Sequence, residues 1–203
     1  MILGRLPIYK AWKKYGSESL KKRRFNKIME KIDMPKDRPL KVLEVGCANG
    51  MDFIRFTNDK DFDISAVDLN YYEFERKDVK FYQADAAKLP FADKEFDVVV
   101  SIGLLEHIEP MEKLCEVIAE FDRVGKHQVS VVPSVSTFIE PHCAGFRFPL
   151  RLHKKMFSEQ EGMPLHLNFF SEHTWTKFSG FWGCQVGKFY YMPPIIKNTI
   201  IYK

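Results

Sequence analysis

The sequence predicts an α/β fold: a doubly wound, mostly parallel sheet with helices on both faces and an antiparallel C-terminal edge. Short apolar runs rich in β-branched residues alternate with segments of helical spacing, which is typical of βαβ units. Some runs, such as residues 98–100, are continuously apolar, as expected of strands covered on both faces. Two late β-rich runs, separated by residues 192–194, predict the antiparallel edge.

The predicted elements follow this pattern from the N-terminus. Residues 17–32 carry apolar side chains at helical spacing among Lys and Arg, which predicts an amphipathic, basic helix. The proline-containing residues 34–39 end that helix. The strands predicted from short apolar runs cover residues 40–45, 64–67, 79–83, 96–101 and 128–132.

Helices are predicted over residues 51–58 and 112–121, between these strands. The stretch over 133–168 breaks the rhythm, and an insertion of that length is usually functional rather than a simple connection. The remaining predicted elements are a helix over 171–180, with Ser171 as its N-cap, and strands over 185–191 and 199–202.

Charge is unevenly distributed along the chain. Residues 1–38 hold 12 Lys/Arg against 4 Asp/Glu, whereas residues 39–203 hold 19 against 23. A basic arm of this kind suits nucleic acid, an anionic membrane or an acidic substrate, although a solvated helix face explains it as well. The cations that would contact RNA are Lys13, Lys14, Lys21, Lys22, Arg23 and Arg24. Apolar residues that would contact a membrane surface beside lysines are Ile2, Leu3, Leu6, Ile8 and Trp12.

The four cysteines, Cys47, Cys115, Cys143 and Cys184, form no Cys-x-x-Cys pair. This spacing predicts free thiols, a cytoplasmic location and no metal site. No apolar run approaches the roughly 18–20 residues of a membrane span, and Arg5 and Lys10 interrupt the apolar region that a signal peptide would need.

The strongest local signal is VLEVGCANG, residues 42–50, in which a strand runs into a glycine-containing turn and then a predicted helix. Glycines let the backbone approach a ligand closely, and a helix N-terminus offers unpaired N–H groups. The spacing is Gly-x-x-x-Gly and fits the dinucleotide fingerprint poorly. In a doubly wound sheet such a turn lies at the ligand-binding crevice.

Four ordered segments resemble the class I methyltransferases that use S-adenosyl-L-methionine (SAM), particularly the small-molecule group related to ubiquinone-biosynthesis methyltransferases. They are VLEVGCANG, AVDLN at 66–70, YQADAAKLPF at 82–91 and FDVVVSIGLLEHI at 96–108. The resemblance implies a Rossmann-like methyltransferase fold, SAM as cofactor and S-adenosyl-L-homocysteine (SAH) as product. One departure is Ala48, where many relatives have glycine, so we expect a slightly altered turn.

The resemblance also implies roles for individual residues at the cofactor. Asp68 accepts hydrogen bonds from the ribose hydroxyls, which suits a carboxylate, and Leu69 packs on the adenine. Asp85 accepts from the adenine amino group, and the Ala86 N–H reaches a ring nitrogen. The methionine end is shaped or contacted by Glu44, Gly46, Cys47, Asn49, Gly50 and the backbone of Ser101 and Gly103. A charge inside a strand, as at Glu44, needs a partner.

Residues that act on the acceptor are harder to assign. His107, with Glu106 beside it, follows the fourth strand and is a candidate general base, with structural hydrogen bonding as the alternative. Substrate contacts are expected from the 134–168 insert, where Arg147 and Arg151 suit a carboxylate or phosphate. The other substrate candidates there are Glu140, His142 and His166.

Together these observations predict one domain over residues 1–203. Its segments are a basic helical arm (1–39), a SAM-binding core (40–133), a substrate-cover insert (134–168) and a C-terminal helix with strands (169–203). We expect methyl transfer to a small molecule. The alternatives are an RNA-modifying enzyme that uses the basic arm and a non-catalytic SAM-binding protein. Peripheral membrane contact stays open, and the sequence predicts no oligomeric state.

Overall fold

The computed structural model describes residues 17–74, 76–134, 172–192 and 196–203. Within these residues the helices are α1 (Ser17–Met29), α2 (Met111–Val124) and α3 (Glu172–Phe181). Short 3-10 turns occupy Ile54–Phe56 and Leu105–His107. The strands are β1 (Leu40–Val45), β2 (Phe62–Asp68), β3 (Lys80–Gln83), β4 (Phe96–Ile102), β5 (Gly125–Pro133), β6 (Gln185–Met192) and β7 (Ile196–Tyr202).

The strands form one seven-stranded sheet in the order β3-β2-β1-β4-β5-β7-β6. The first five of these strands pair in parallel, whereas β7 is antiparallel to both β5 and β6. The doubly wound, mostly parallel sheet and its antiparallel C-terminal edge are therefore confirmed. The strand order reverses between β1 and β4, and in such sheets a ligand crevice lies outside the carboxyl ends of the strands at that point.

Each face of the sheet is covered by its own helices. On one face Ile28 of α1 belongs to the same hydrophobic core as Val42 and Ile64, and all three side chains are buried. On the other face α2 and α3 bury Phe121 and Trp175 with the alternate residues of the same strands. Both faces of the central strands are therefore shielded from solvent, which explains their continuous apolar runs.

The helix predicted over residues 51–58 is wrong, because only the 3-10 turn Ile54–Phe56 forms there. The Arg76 guanidinium donates to the carbonyl oxygens of Ile54 and Thr57, at 2.9 and 3.0 Å. Those carbonyls would otherwise accept the next helical hydrogen bonds. Phe25 of α1 also packs against Phe53, with ring centroids 5.2 Å apart. Tertiary contacts thus fix this segment in an irregular form.

Several predictions fall on residues outside the described ranges. They include the N-terminal half of the basic arm, most of the insert and Ser171 as the cap of α3. None of the helices in the described part of the chain is long and apolar enough to cross a membrane.

Candidate functional site

The parallel strands bring most of the predicted binding residues to one edge of the sheet. Val45, at the end of β1, lies beside Val67 of β2 and Ser101 of β4. Asp68, the last residue of β2, pairs with Gln83 of β3. The turns that follow these four strands therefore line a common crevice.

The turn after β1 requires glycine at both ends. Gly46 and Gly50 have φ values of +72° and +70°, in the left-handed region that favours glycine. A Cβ atom at Gly50 would also lie 2.6 Å from Cε1 of Phe74. Side chains at these two positions would therefore strain the turn.

Several backbone N–H groups of this turn are already paired. The Gly46 and Cys47 N–H groups both donate to the Val67 carbonyl, at 2.8 and 3.2 Å, and the Gly50 N–H donates to the Cys47 carbonyl. Without a regular helix after the turn, these donors bond to β2 and to the turn itself. The turn can therefore shape a ligand pocket, but these three N–H groups already have partners.

Ala48 has φ at +45°, in the left-handed region that favours glycine. Its N–H donates to Oδ2 of Asp68 at 3.0 Å, while Oδ1 of Asp68 accepts the Asn70 N–H, also at 3.0 Å. Both carboxylate oxygens are thereby held by backbone donors. Since each carboxylate oxygen has two acceptor sites, the group can still accept two more hydrogen bonds.

Glu44 is a charged residue inside β1, and its side chain is only 2% exposed. Its Oε2 atom is buried and has no hydrogen-bond partner among the described residues. Burial and the nearby Asp52 raise the pKa of Glu44 to about 8, while the Ile54 backbone N–H acts in the opposite direction. A cationic ligand group beside this oxygen would supply the missing partner and favour the ionised carboxylate.

Asp85 follows β3 and is held on both oxygens. Its Oδ1 accepts the Ala87 N–H at 3.0 Å, and its Oδ2 accepts Lys113 Nζ at 2.8 Å. These two donors lower the pKa of Asp85 below its usual range. Lys113 comes from the first turn of α2, and sequence reasoning missed it because nothing in the local sequence links it to Asp85. Ala86, between Asp85 and Ala87, is half-buried.

Two further predicted contacts are exposed at this edge. The Leu69 side chain is 66% exposed although it is apolar, and its carbonyl accepts from Gln83 Nε2 at 3.0 Å. Asn49 is also exposed, at the tip of the turn after β1. Both side chains can therefore reach a ligand without moving a neighbour out of the core.

Other predicted residues at this edge are buried. The Cys47 thiol is buried, and burial raises its pKa, so it serves as packing rather than as a thiolate. The Ser101 hydroxyl donates to the Ser130 hydroxyl at 2.9 Å inside the sheet. The Gly103 N–H donates to the Val131 carbonyl at 2.9 Å.

His107 ends the 3-10 turn that follows β4, and its side chain is exposed. Its backbone N–H donates to the Leu104 carbonyl at 2.9 Å, which fixes the backbone beneath the imidazole. Glu106 is instead buried, and its carboxylate lies against Gly103. The imidazole is therefore the solvent-accessible member of the Glu106–His107 pair.

The basic helix α1 directs part of its charge toward the rest of the domain. Arg24 Nη1 lies 3.0 Å from Asp52 Oδ1, and Lys21 Nζ lies 3.8 Å from Asp52 Oδ2. Arg55 pairs with Glu18 of α1 at 2.6 Å. Lys22 and Arg23 instead line an open groove of about 430 Å³ on the outer surface.

The predicted substrate residues have no position in the described structure. The substrate residues Glu140, His142, Arg147, Arg151 and His166 lie outside the described residues. Within the described residues, no group of three His, Cys, Asp or Glu side chains could hold a metal ion. Cys47, Cys115 and Cys184 are free thiols.

Comparisons with known proteins agree with this arrangement. A sequence profile described as a methyltransferase domain matches residues 43–132. Among solved structures, magnesium protoporphyrin IX methyltransferase from Synechocystis PCC 6803, with bound SAH, is 13% identical, with a TM-score of 0.63. That alignment covers 97% of this chain and 86% of the other.

Two further structures are similar over nearly the whole chain. The 1,6-didemethyltoxoflavin-N1-methyltransferase of Burkholderia thailandensis, with bound 1,6-didemethyltoxoflavin and S-adenosylhomocysteine, is 14% identical with a TM-score of 0.61. Its alignment covers 95% of this chain and 79% of the other. A SAM-dependent methyltransferase from Archaeoglobus fulgidus is 16% identical with a TM-score of 0.61. Its alignment covers 97% of this chain and 99% of the other. At these identities the structures show a shared fold.

Proposed function

The chain is a class I SAM-dependent methyltransferase, and on this premise we propose that its methyl acceptor is a small molecule. The observation that carries this choice is the pairing of α1 with the domain. Lys21 and Arg24 both form ion pairs with Asp52, so part of the charge of α1 is neutralised within the domain. This leaves Lys22 and Arg23 as the described cations of the predicted RNA-contacting set that line an outward-facing groove, whereas an RNA-binding surface needs many outward-facing cations.

The similar structures support the same choice by analogy. The Synechocystis enzyme is named for a magnesium porphyrin, and the Burkholderia enzyme holds 1,6-didemethyltoxoflavin. Each acceptor is a small organic molecule, and each fold aligns with more than nine-tenths of this chain. The analogy extends to the class of acceptor and not to its identity.

The residues at the carboxyl edge fit the cofactor. SAM supplies an electrophilic methyl group on a sulfonium sulfur, together with ammonium, ribose and adenine groups that a protein can bind. We assign Glu44 to the ammonium, because its buried Oε2 has no described partner. Asp68 is assigned to the ribose hydroxyls, and its carboxylate is already oriented by two backbone N–H groups. Asp85 is assigned to the adenine amino group.

The remaining cofactor residues shape the pocket. Gly46, Cys47, Asn49 and Gly50 form the turn beside the methionine end. We assign the exposed Leu69 side chain to the adenine face, where contact with an apolar surface is favourable. Ala86, next to Asp85, is assigned to a ring nitrogen. Ser101 and Gly103 are assigned to the methionine end through their backbone.

The task of the protein in methyl transfer is to align the donor and acceptor and to exclude water. A general base is needed only when the acceptor atom carries a proton in the reacting form. His107 is our candidate for that base, because its imidazole is exposed at the edge where β4 ends. We assign acceptor binding to the insert residues Glu140, His142, Arg147, Arg151 and His166.

The acceptor class can be tested with radiolabelled SAM. The full-length protein would be incubated with an extract separated into small-metabolite, lipid and RNA pools, and the label in each pool would be counted. We expect the label in the small-metabolite pool. An Asp68→Ala variant, which lacks a hydrogen-bond acceptor for the cofactor, should lower the labelling in every pool at a limiting SAM concentration.

Other outcomes would overturn the proposal in different ways. Label in RNA, with binding that falls steeply as salt is raised, would replace the small molecule with a nucleic acid. Label in the lipid pool would identify a lipid as the methyl acceptor. Binding of SAH without labelling of any pool would indicate a protein that binds the cofactor but does not transfer the methyl group to the acceptors of that extract.

A further inference from the structure

Lys113 and Asp85 form an ion pair between two elements that are distant in sequence. Lys113 Nζ lies 2.8 Å from Asp85 Oδ2, and the two residues are 28 positions apart. Lys113 belongs to the first turn of α2, whereas Asp85 lies in the turn after β3. The pair therefore connects α2 to the crevice.

The second oxygen of Asp85 is held locally. Oδ1 accepts the backbone N–H of Ala87 at 3.0 Å, within the same turn. One bond alone would leave the carboxylate able to rotate about it. Two bonds to different oxygens, one from the turn and one from α2, fix both its position and the orientation of its plane.

The geometry leaves the carboxylate able to accept further hydrogen bonds. Each carboxylate oxygen has two acceptor sites, and each uses one for the contacts just described. Both contacts also favour the ionised form of the carboxylate. An ionised carboxylate only accepts hydrogen bonds, so it favours a ligand edge that donates and disfavours one that presents a carbonyl oxygen.

We propose that Lys113 is a positioning residue that holds Asp85 as a fixed acceptor and so strengthens the preference of the site for an aminopurine over an oxopurine. This inference rests on the proposed role of Asp85 toward the adenine amino group. Lys113 acts through Asp85, and its own contact with the ligand is not required. The pairing of turn and helix thus contributes to cofactor selectivity.

The test compares two ligands that differ only at one edge of the purine. SAH carries the amino group beside an unprotonated ring nitrogen, whereas S-inosyl-L-homocysteine carries a carbonyl oxygen beside a ring N–H. Dissociation constants for both would be measured by titration calorimetry with the full-length protein. The ratio of the two constants reports selectivity at the base, because the ribose and amino-acid parts of the ligands are identical.

We expect the wild-type protein to prefer SAH. Lys113→Met should weaken SAH binding by about two- to fivefold, the range expected for a partly exposed ion pair, and leave binding of the inosyl ligand unchanged. The preference for SAH then falls by the same factor. Lys113→Arg, which keeps a cation at this position, should restore the wild-type ratio.

Lys88→Met is the matched control, because it removes an exposed lysine three positions after Asp85 by the same substitution. It should keep the wild-type ratio. A Lys113→Met protein that is folded by circular dichroism and keeps the wild-type ratio would overturn the inference. Equal weakening of both ligands would overturn it as well, since that result indicates a general structural role.

Asp85→Asn separates this inference from the proposed function. If Asp85→Asn abolishes the preference for SAH while Lys113→Met keeps it, the role of Lys113 is wrong and that of Asp85 stands. If Asp85→Asn itself keeps the wild-type ratio, the assignment of Asp85 to the adenine fails, and the inference fails with it. If the preference for SAH is abolished in Asp85→Asn and falls by about two- to fivefold in Lys113→Met, the results support the roles of both Asp85 and Lys113.

Discussion

Asp68 Oδ2 accepts the backbone N–H of Ala48 at 3.0 Å, so the carboxylate that ends β2 also holds the turn after β1. The contact spans 20 residues of sequence and joins the two segments that carry most of the cofactor assignments. It orients the carboxylate before any ligand arrives, which lowers the cost of ordering it on binding. It also holds Ala48 in a conformation that alanine adopts at a cost.

The first prediction concerns that cost. Ala48 has φ at +45°, and replacing it with glycine removes the steric strain of a Cβ atom in the left-handed region while keeping the N–H bond to Asp68. Ala48→Gly should raise the free energy of unfolding by about 0.5–1 kcal/mol, measured by urea denaturation. The gain is limited because glycine also increases the freedom of the unfolded chain.

Ala119→Gly is the control for this prediction. Ala119 lies inside α2, where the same substitution should lower the free energy of unfolding by about 1 kcal/mol. Opposite signs in the two variants would link the gain at position 48 to its backbone conformation. A loss of stability in Ala48→Gly would contradict the strained geometry of the turn.

The strands could be predicted from the sequence because their signal is local. Apolar runs at the centres of β1, β4 and β5 reflect burial on both faces, and the observed bounds differ from the predicted ones by only a few residues. The segment over 51–58 could not be predicted in this way. Its conformation depends on Arg76 and on the rings of α1, which are contacts that no local pattern contains.

At the candidate site, too, the local sequence predicts the positions of residues but not their tertiary partners. Gly46, Asp68 and Asp85 could be placed from sequence because the carboxyl ends of parallel strands meet at one edge. The partners of the two aspartates could not be predicted, since the Ala48 N–H that binds Asp68 lies 20 residues away and Lys113, which binds Asp85, comes from α2. The position of Glu44 within a strand predicts its burial, but its raised pKa depends on the extent of that burial and on the nearby Asp52, which no local pattern contains.

The second prediction follows from Glu44. Its pKa of about 8 in the folded protein lies above its ordinary value of 4.5, so the folded protein keeps a proton that the unfolded chain releases between these pH values. The free energy of unfolding should therefore fall as pH rises through this window, with a slope of up to about 1.4 kcal/mol per pH unit. Above the folded pKa the decline from this group should end.

Glu44→Gln removes the titrating group while keeping the shape of the side chain. Urea denaturation of both proteins at pH 5, 6, 7 and 8 would give two profiles. The free energy of unfolding of the wild-type protein should decline relative to that of Glu44→Gln as pH rises. Parallel profiles would show that Glu44 titrates in the same range in the folded and unfolded states.

The third prediction concerns Asp97, which lies near the amino end of β4, at the end of the strand away from the candidate site. Hydrogen bonds from Arg38, Lys126 and the Lys41 N–H hold its pKa well below the usual range. A lowered pKa stabilises the fold above the unfolded value, and this stability is lost as pH falls through the folded value. Asp97→Asn should lower the free energy of unfolding at pH 7 by about 1–3 kcal/mol.

The difference between the wild-type protein and Asp97→Asn should narrow on acidification from pH 7 to pH 3, as measured by urea denaturation. Asp93→Asn is the control, because its side chain is 79% exposed and its ion pair with Arg123 is solvated. Its effect should be about 0.5 kcal/mol or less. A constant difference between wild type and Asp97→Asn across this pH range would count against the proposed linkage.

The fourth prediction concerns His107. If it is the base, His107→Ala should lower kcat by roughly 10²–10⁴-fold and leave SAH affinity unchanged. Because the imidazole is exposed, its removal opens no buried cavity. His127→Ala, the same change at an exposed histidine near the start of β5, is the control and should keep wild-type kcat. Lost stability with an unchanged rate in the folded fraction would assign His107 a structural role.

The most direct test of the account is titration of SAH into the wild-type protein, Asp68→Ala and Asp63→Asn. Both aspartates lie on β2, but Asp63 is near its amino end and pairs with Lys80. We predict that Asp68→Ala weakens SAH binding by about 1–3 kcal/mol and that Asp63→Asn binds as the wild type does. Equal SAH affinity in the wild-type protein and Asp68→Ala would contradict a cofactor site at the carboxyl end of β2.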